Sequence, residues 1–558
     1  MTADGPPPAP ADGTAPQGVA RLGRSAAVMA VGTTLSRITG LGRLVAAAFA
    51  VGVTESRLAD AYNIANTMPN ILYELVLGGV LTSVFIPVVV EELRTKAHDE
   101  AWESVSSLVT TALTVLIAMS ALAVLAAPLV IKLFTLRLSG PGVAEQQALA
   151  TFFLRIFALQ IIFYGYAAVA GGLLNAHNRF AVPAFTPILN NLVVIGTFLA
   201  FAAMVSGTPT VPGVNGSVSQ KLLLAGGTTL GVAVFAGAHW PFVRRLPGRL
   251  TPRFRFRDPV VRKLARLSGW TIAYVAVNQV VFMLSLVMAY KVQGGATAYF
   301  TAFAFFQLPY GIATVSIMTA LVPTLSAHYV DRDDAAFRAR TAGGIRAMAL
   351  LMIPATAAYV VLSGPLIRTL LQHGVMTAES SDLVVGVLNL LALGLLPFSA
   401  FLLLLRAFYT RQDTRTPLLV NVVGNITFLV FALALFPAFD VRGLALAHTL
   451  CYVVGAAMAW ALLGRRIGGL EGSHTAAEVA KVVAATAVAG AAMLAAVWCV
   501  DQVTAEGDVR WLAQLVGGGA VGAVAFLVAA RVAGVEDLSL FKQLLPRRSR
   551  GAKVGATG

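Results

Sequence analysis

Long uninterrupted apolar runs alternate with short polar segments along almost the whole chain. A helix rises 1.5 Å per residue. Runs of about 20 apolar residues therefore cross the roughly 30 Å hydrocarbon layer of a bilayer. The apolar positions are continuous rather than alternating, which excludes transmembrane β-strands. The pattern predicts an all-α integral membrane protein with about fourteen transmembrane helices. They fall near residues 25–53, 59–93, 103–136, 147–175, 180–206, 217–243, 268–292, 297–329, 345–372, 381–409, 417–437, 442–464, 475–499 and 510–534.

A repeat runs through this array. Thr186-Pro187-Ile188-Leu189-Asn190-Asn191 opens the fifth run, and Thr416-Pro417-Leu418-Leu419-Val420-Asn421 opens the eleventh. The second and eighth runs end in Pro-bearing apolar stretches at Pro87 and Pro323. The offsets are close to 230 residues, an even number of helices, so two six-helix lobes should share one orientation, with a further C-terminal pair. Transporters commonly bind substrate between such repeats. The expected organisation is a disordered cytoplasmic N-terminus at 1–24 and an N-lobe at 25–243. A basic cytoplasmic linker follows at 244–267, then a C-lobe at 268–466. The extra pair occupies 467–534 and a basic cytoplasmic tail 535–558. The first segment, rich in Pro, Ala and Gly, lacks apolar periodicity. It does not read as a cleaved signal peptide, because the run behind it is too long and many more spans follow.

Composition agrees with this class. The chain is 57% hydrophobic and 12% charged, against about 25% charged in soluble domains. The net charge of +15 would suggest nucleic acid in a soluble protein. Here the basic residues gather in alternate loops, as orientation requires. The segment 244–266 holds Arg244, Arg245, Arg249, Arg253, Arg255, Arg257, Arg262, Lys263 and Arg266 against the single acid Asp258. The opposite loops are sparse or acidic, as at Glu145, Glu379, Asp382, Asp440 and Asp501. This predicts both termini in the cytoplasm, a multi-pass protein of the inner (plasma) membrane, and no nucleic-acid partner. Anionic headgroups of the membrane lipids are the natural neighbours of the basic segment. Cys451 and Cys499, both in apolar runs, form no disulfide framework or metal cluster.

The candidate chemistry lies in the first two runs. Arg37 and Arg43 stand within the first. A guanidinium stays charged in proteins, and an intramembrane charge marks a functional site by default. We read them as the wall of a cavity for an anionic substrate. The alternative is a structural pairing with Asp60 at the start of the second run. Six residues separate the two arginines by about 120° on a helix, so a shared cavity must be wide or the helix bent near Gly40 and Gly42. Glu74, also at membrane depth, has three readings: arginine counter-charge, proton carrier or snorkelling side chain. Asn278, Gln279, Asn421 and Asn425 suit either a small-cation site or helix–helix hydrogen bonds. No Walker loop, zinc spacing or nucleophile triad is present, so the chain does not read as an enzyme, and no cofactor is expected.

Four stretches carry a family likeness: SRITGLGR at 36–43, LLNAHNRFAVPAFTPILNN at 173–191, LPYGIATVSIMTALVPTLS at 308–326 and FYTRQDTRTP at 408–417. ADAYNIANTMPNIL at 59–72 fits as well. Over about residues 25–534 the chain resembles the MurJ/MviN family of lipid II flippases, in the multidrug/oligosaccharidyl-lipid/polysaccharide exporter superfamily. The resemblance implies fourteen helices, two lobes and a central cationic cavity that opens alternately to each face. It implies export of an undecaprenyl-pyrophosphate-linked peptidoglycan precursor, with cell-wall synthesis or division proteins as neighbours. Arg37, Arg43 and Asp60 fall on family positions tied to function. Family charges are missing at Leu44, Tyr73, Ala304 and Gln307, which places the chain in a divergent branch, of actinobacterial type. Coupling through Na+, H+ or the membrane potential is expected, since no ATP site is visible. The competing readings are a cation-coupled multidrug antiporter or another lipid-linked oligosaccharide exporter of the superfamily, and a membrane scaffold for division proteins.

Overall fold

The computed structural model describes residues 15–73, 85–255 and 257–536. The regular structure among those residues is helical, with no strand. The first eleven helices are α1 (Ala15–Val51), α2 (Leu58–Tyr73), α3 (Ile86–Thr95), α4 (His98–Phe134), α5 (Val143–Phe157), α6 (Gln160–Ala176), α7 (Ala181–Met204), α8 (Val211–Gly216), α9 (Val218–Gly237), α10 (Trp240–Val243) and α11 (Pro259–Ala289). The rest are α12 (Gly295–Pro309), α13 (Val315–Val330), α14 (Asp334–Leu371), α15 (Ala378–Ala392), α16 (Leu395–Thr410), α17 (Arg415–Ile467), α18 (Gly472–Val503) and α19 (Asp508–Val532). A π-helical turn, Tyr310–Thr314, joins α12 to α13.

Ten of the described segments are long and apolar enough to cross a membrane, or eleven if the bent pair α15 and α16 counts as one span. The difference from the expected fourteen falls at three places. The second expected run includes residues outside the described set. In α11 only Val275–Ala289 stands out as a short apolar helix. The 53 residues of α17, about 80 Å long, break at Asp440 (φ 50°, ψ −133°), a backbone conformation no helix contains. The first helix begins at Ala15, ten residues before the expected boundary. Pro16 sits in its first turn, where a missing N–H costs nothing. Residues 1–14 and the tail from 537 lie outside the described residues.

The chain forms two compact units. The first comprises residues 1–51, 61–133 and 139–279. Its buried core includes Phe85, Trp102, Leu108, Leu173 and Leu246. Gly248 lies against the Trp102 indole so closely that an added Cβ would stand 2.1 Å from the ring.

The second unit comprises residues 52–60, 134–138 and 280–558. Phe337, Leu403, Phe408 and Leu463 centre one of its clusters. Another joins α14 to α18 and α19 through Leu350, Val482, Met493 and Phe526. Alanine and valine on α18 and α19 line an apolar groove of about 850 Å³.

Residues 52–60 form a strap within the second unit. Glu55 is its hub. One carboxylate oxygen accepts from the Thr377 N–H (2.7 Å), the Thr377 hydroxyl (2.9 Å) and the Ser380 hydroxyl (2.6 Å). The other accepts from the Val53 N–H at 2.5 Å. Thr377 is itself the N-cap of α15, so Glu55 adds negative charge where the helix dipole favours it. Gln293 donates to the Thr54 carbonyl at 2.7 Å. Gly294 turns with φ +71°, and a Cβ there would stand 2.4 Å from the Val53 carbonyl oxygen. Partial burial works to raise the Glu55 pKa, but the bonds from Ser380, Thr377 and Val53 outweigh it and hold the carboxyl below its ordinary value.

Three outcomes follow for the protein purified in detergent. Gly248→Ala forces the Trp102 ring out of its core and should cost about 1–3 kcal/mol, read as a lower melting temperature. Gly294→Ala meets both a left-handed backbone and a carbonyl, so its cost should exceed about 1 kcal/mol. A lowered carboxylate pKa gives stability that is complete above the unfolded value and disappears as pH falls through the folded one. The melting-temperature gap between wild type and Glu55→Gln should therefore be widest near neutrality and close below about pH 4.

Candidate functional site

Arg37 and Arg43 are positioned by the packing of α1 on α7. Small residues allow the approach: a Cβ on Gly32 would stand 2.9 Å from that of Ala184. One polar clasp fixes the register, as Asn191 Nδ2 donates to the Ser36 carbonyl (3.1 Å) and the Thr39 hydroxyl (3.0 Å). Asn191 belongs to the TPILNN repeat, and one function of that motif is thus to hold the arginine helix. Arg37 is exposed and Arg43 half-buried. Neither makes an ion pair among the described residues.

Arg43 acts electrostatically on Tyr62 and Tyr164. The Tyr62 hydroxyl is 2.8 Å from that of Thr228, and its ring packs edge-on against Phe157 and Phe198, each at 5.4 Å. Tyr164 is hydrogen-bonded to Asn190. The half-buried guanidinium therefore bears on two tyrosine hydroxyls, and no carboxylate pairs with it among the described residues.

Asp60 is fully buried. It accepts from the Gly294 N–H at 2.9 Å and from the Thr297 hydroxyl at 3.1 Å. Gly294 is the N-cap residue of α12, so the carboxylate occupies the positive end of that helix. The guanidinium that bears on it is Arg57, which also donates to the Tyr290 carbonyl at 3.4 Å. Asp60 thus has a structural anchorage, where the sequence suggested a partner for Arg37 or Arg43. Arg57, Gly294 and Thr297 went unread in the sequence. Only the Gly294-Gly295 pair, at the start of an apolar run, hinted at the cap.

Glu74 lies outside the described residues. Asn425 Nδ2 donates to Asn421 Oδ1 at 3.1 Å, one turn apart on α17, a contact within one helix and not between two. Asn278 and Asn425 each have further partners. Asn278 stands on α11 near the end of the first unit.

The family model described as "Lipid II flippase MurJ" matches residues 45–513, beginning just after Arg43. The chain is 28% identical over 479 residues to the probable lipid II flippase MurJ of Haemophilus influenzae, covering 84% of this chain and 90% of that one. It is 29% identical over 416 residues to the lipid II flippase MurJ of Burkholderia cenocepacia, covering 71% and 76%. Among solved structures, a lipid II flippase MurJ in an inward closed conformation superposes with TM-score 0.71 at 20% identity, covering 92% of this chain and 99% of that one. An inward-facing multidrug resistance transporter of the MATE family follows the same fold at TM-score 0.61 and 14% identity, covering 79% and 95%. The chain belongs to the MurJ family of lipid II flippases.

Proposed function

We propose that the chain moves an undecaprenyl-pyrophosphate-linked peptidoglycan precursor from the inner to the outer leaflet by alternating access. The observation that carries this reading is a pair of permanent charges on one apolar helix, with no acid among the described residues to neutralise them. Arg37 and Arg43 would engage the pyrophosphate, whose oxygens suit the guanidinium fork. The half-buried position of Arg43 lets it give up little hydration when it binds, and with no carboxylate paired to it among the described residues its donors can turn toward the substrate. The prenyl chain stays in lipid while the headgroup crosses. Asp60 keeps the start of α12 in place during the cycle.

The loop charges support an orientation with both termini in the cytoplasm of the inner membrane. No bond is made or broken in this reaction. The drive is an ion gradient or the membrane potential, which supplies about 2.3 kcal/mol per charge per 100 mV. Cell-wall synthesis and division proteins are the expected neighbours.

The test is complementation of a depleted strain, with lipid II accessibility at the outer face as the readout. Arg37→Ala and Arg43→Ala should each reduce outward accessibility at least about tenfold, the effect of losing one charge-assisted contact of roughly 1.5–3 kcal/mol, at unchanged protein level. Arg→Lys at the same positions keeps the charge but not the fork and should be intermediate. Normal cell-wall growth in both alanine variants would overturn the reading. Resistance to cationic drugs without a cell-wall phenotype would favour an antiporter instead.

A further inference from the structure

The second unit contains a histidine that the transport reading leaves unused. His448 lies on α17, eight residues past the break at Asp440. The residue is half-buried, yet its Nε2 is enclosed and has no hydrogen-bond partner among the described residues. Its Nδ1 stands 3.3 Å from the Tyr299 hydroxyl. Five aromatic rings surround the imidazole, with centroids at 4.9 Å (Tyr452), 5.5 Å (Phe303), 6.0 Å (Phe306), 6.4 Å (Phe428) and 6.5 Å (Tyr299). All five are steeply inclined to it, at 66–90°.

The titratable groups facing the ring are Tyr299 from α12 and Tyr452 and Cys451 from its own helix. The Cys451 thiol is occupied by the His448 carbonyl at 3.1 Å. From α16 comes only Phe398, whose ring lies 4.8 Å from that of Tyr452. No carboxylate, lysine or arginine bears on the imidazole among the described residues.

A histidine kept for packing normally has both nitrogens satisfied, and here only Nδ1 has a partner among the described residues. In a neutral ring one nitrogen meets Tyr299 and the other meets nothing, whichever tautomer is present. In an imidazolium both nitrogens are donors. Nδ1–H can donate to the Tyr299 oxygen, but Nε2–H has no acceptor, and an uncompensated charge is strongly disfavoured in an apolar cage. The arrangement seen here therefore accommodates the neutral ring only. Protonation selects another arrangement, in which the ring reaches water or an acceptor.

The neighbouring backbone offers a place for that change. Tyr299, Phe303 and Phe306 lie on α12, which runs directly into the π-helical turn Tyr310–Thr314. Tyr310 continues the aromatic chain through Phe398 at 4.9 Å. Single π turns inside helices are frequent at functional sites. We propose that His448 is a proton-binding site, empty in this conformation and filled in a second one, through which a proton gradient drives transport. The coupling to transport rests on the flippase reading above; the proton site does not. Imidazole suits the task because it exchanges protons near neutral pH.

Two measurements test this on the full chain in liposomes. The first needs no substrate: hydrogen exchange of residues 303–314, corrected for the intrinsic pH dependence of amide exchange. Between pH 8 and pH 6 exchange should rise several-fold in wild type and stay flat in His448→Gln, with both proteins melting within a few degrees of each other. The second follows fluorescent lipid II under an imposed pH gradient at zero potential. Wild type should respond by up to about tenfold per pH unit, and His448→Gln should lose that response. A gradient response that survives in His448→Gln, or flat exchange in wild type, overturns the proposal and leaves the flippase reading intact. A pH-dependent opening abolished by His448→Gln, with no lipid II movement in either protein, sustains the proton site and overturns the substrate instead.

Discussion

A guanidinium cannot shed its charge, and a bilayer interior penalises every charge placed in it. The first unit is arranged around that constraint. The helix bearing Arg37 and Arg43 is held against α7 by glycine contacts and one asparagine clasp, with no counter-ion among the described residues. A carboxylate partner would have lowered the cost of burial, but it would also have consumed the attraction that an anionic headgroup needs. Tyr62 and Tyr164, on which Arg43 bears, provide dipoles without cancelling the charge and are themselves bonded to Thr228 and Asn190.

Two acidic groups of the second unit follow the opposite rule. Asp60 and Glu55 each lie at a helix N-terminus, where backbone N–H groups and a hydroxyl satisfy the carboxylate. Helix dipoles serve for these anions in place of basic side chains. Arg57 adds to this on Asp60 but is not its principal ligand. Negative charge is anchored by backbone and hydroxyl donors, while Arg37 and Arg43 have no ion pair among the described residues.

Much of this was legible from the residues alone. The apolar runs announced the helices, and the TP-containing repeat marked α7 and α17, because membrane helices need length and apolarity more than any particular partner. Arg37 and Arg43 stood out for the same reason: a charge in an apolar run is conspicuous. The partners of Asp60 were not, since Gly294 and Thr297 lie 234 and 237 residues away and contribute a backbone N–H and a hydroxyl that no motif encodes. The start of α1 was placed too late because a Pro- and Gly-containing segment reads as coil, although a proline in the first turn is compatible with a helix. The break at Asp440 was expected as a loop and is instead a single residue out of helical conformation.

The strap at residues 52–60 sets a schedule for biogenesis. Glu55 leaves the ribosome 325 residues before Ser380, its hydroxyl donor. At about 5–20 residues per second, roughly 15–65 s pass before that partner exists. For that interval the carboxylate must be satisfied by water or by the insertion machinery, and the first hairpin of the nascent chain cannot reach its final form. Assembly of the second unit, not insertion of the first helix, is then the step that completes the N-terminal part of the protein.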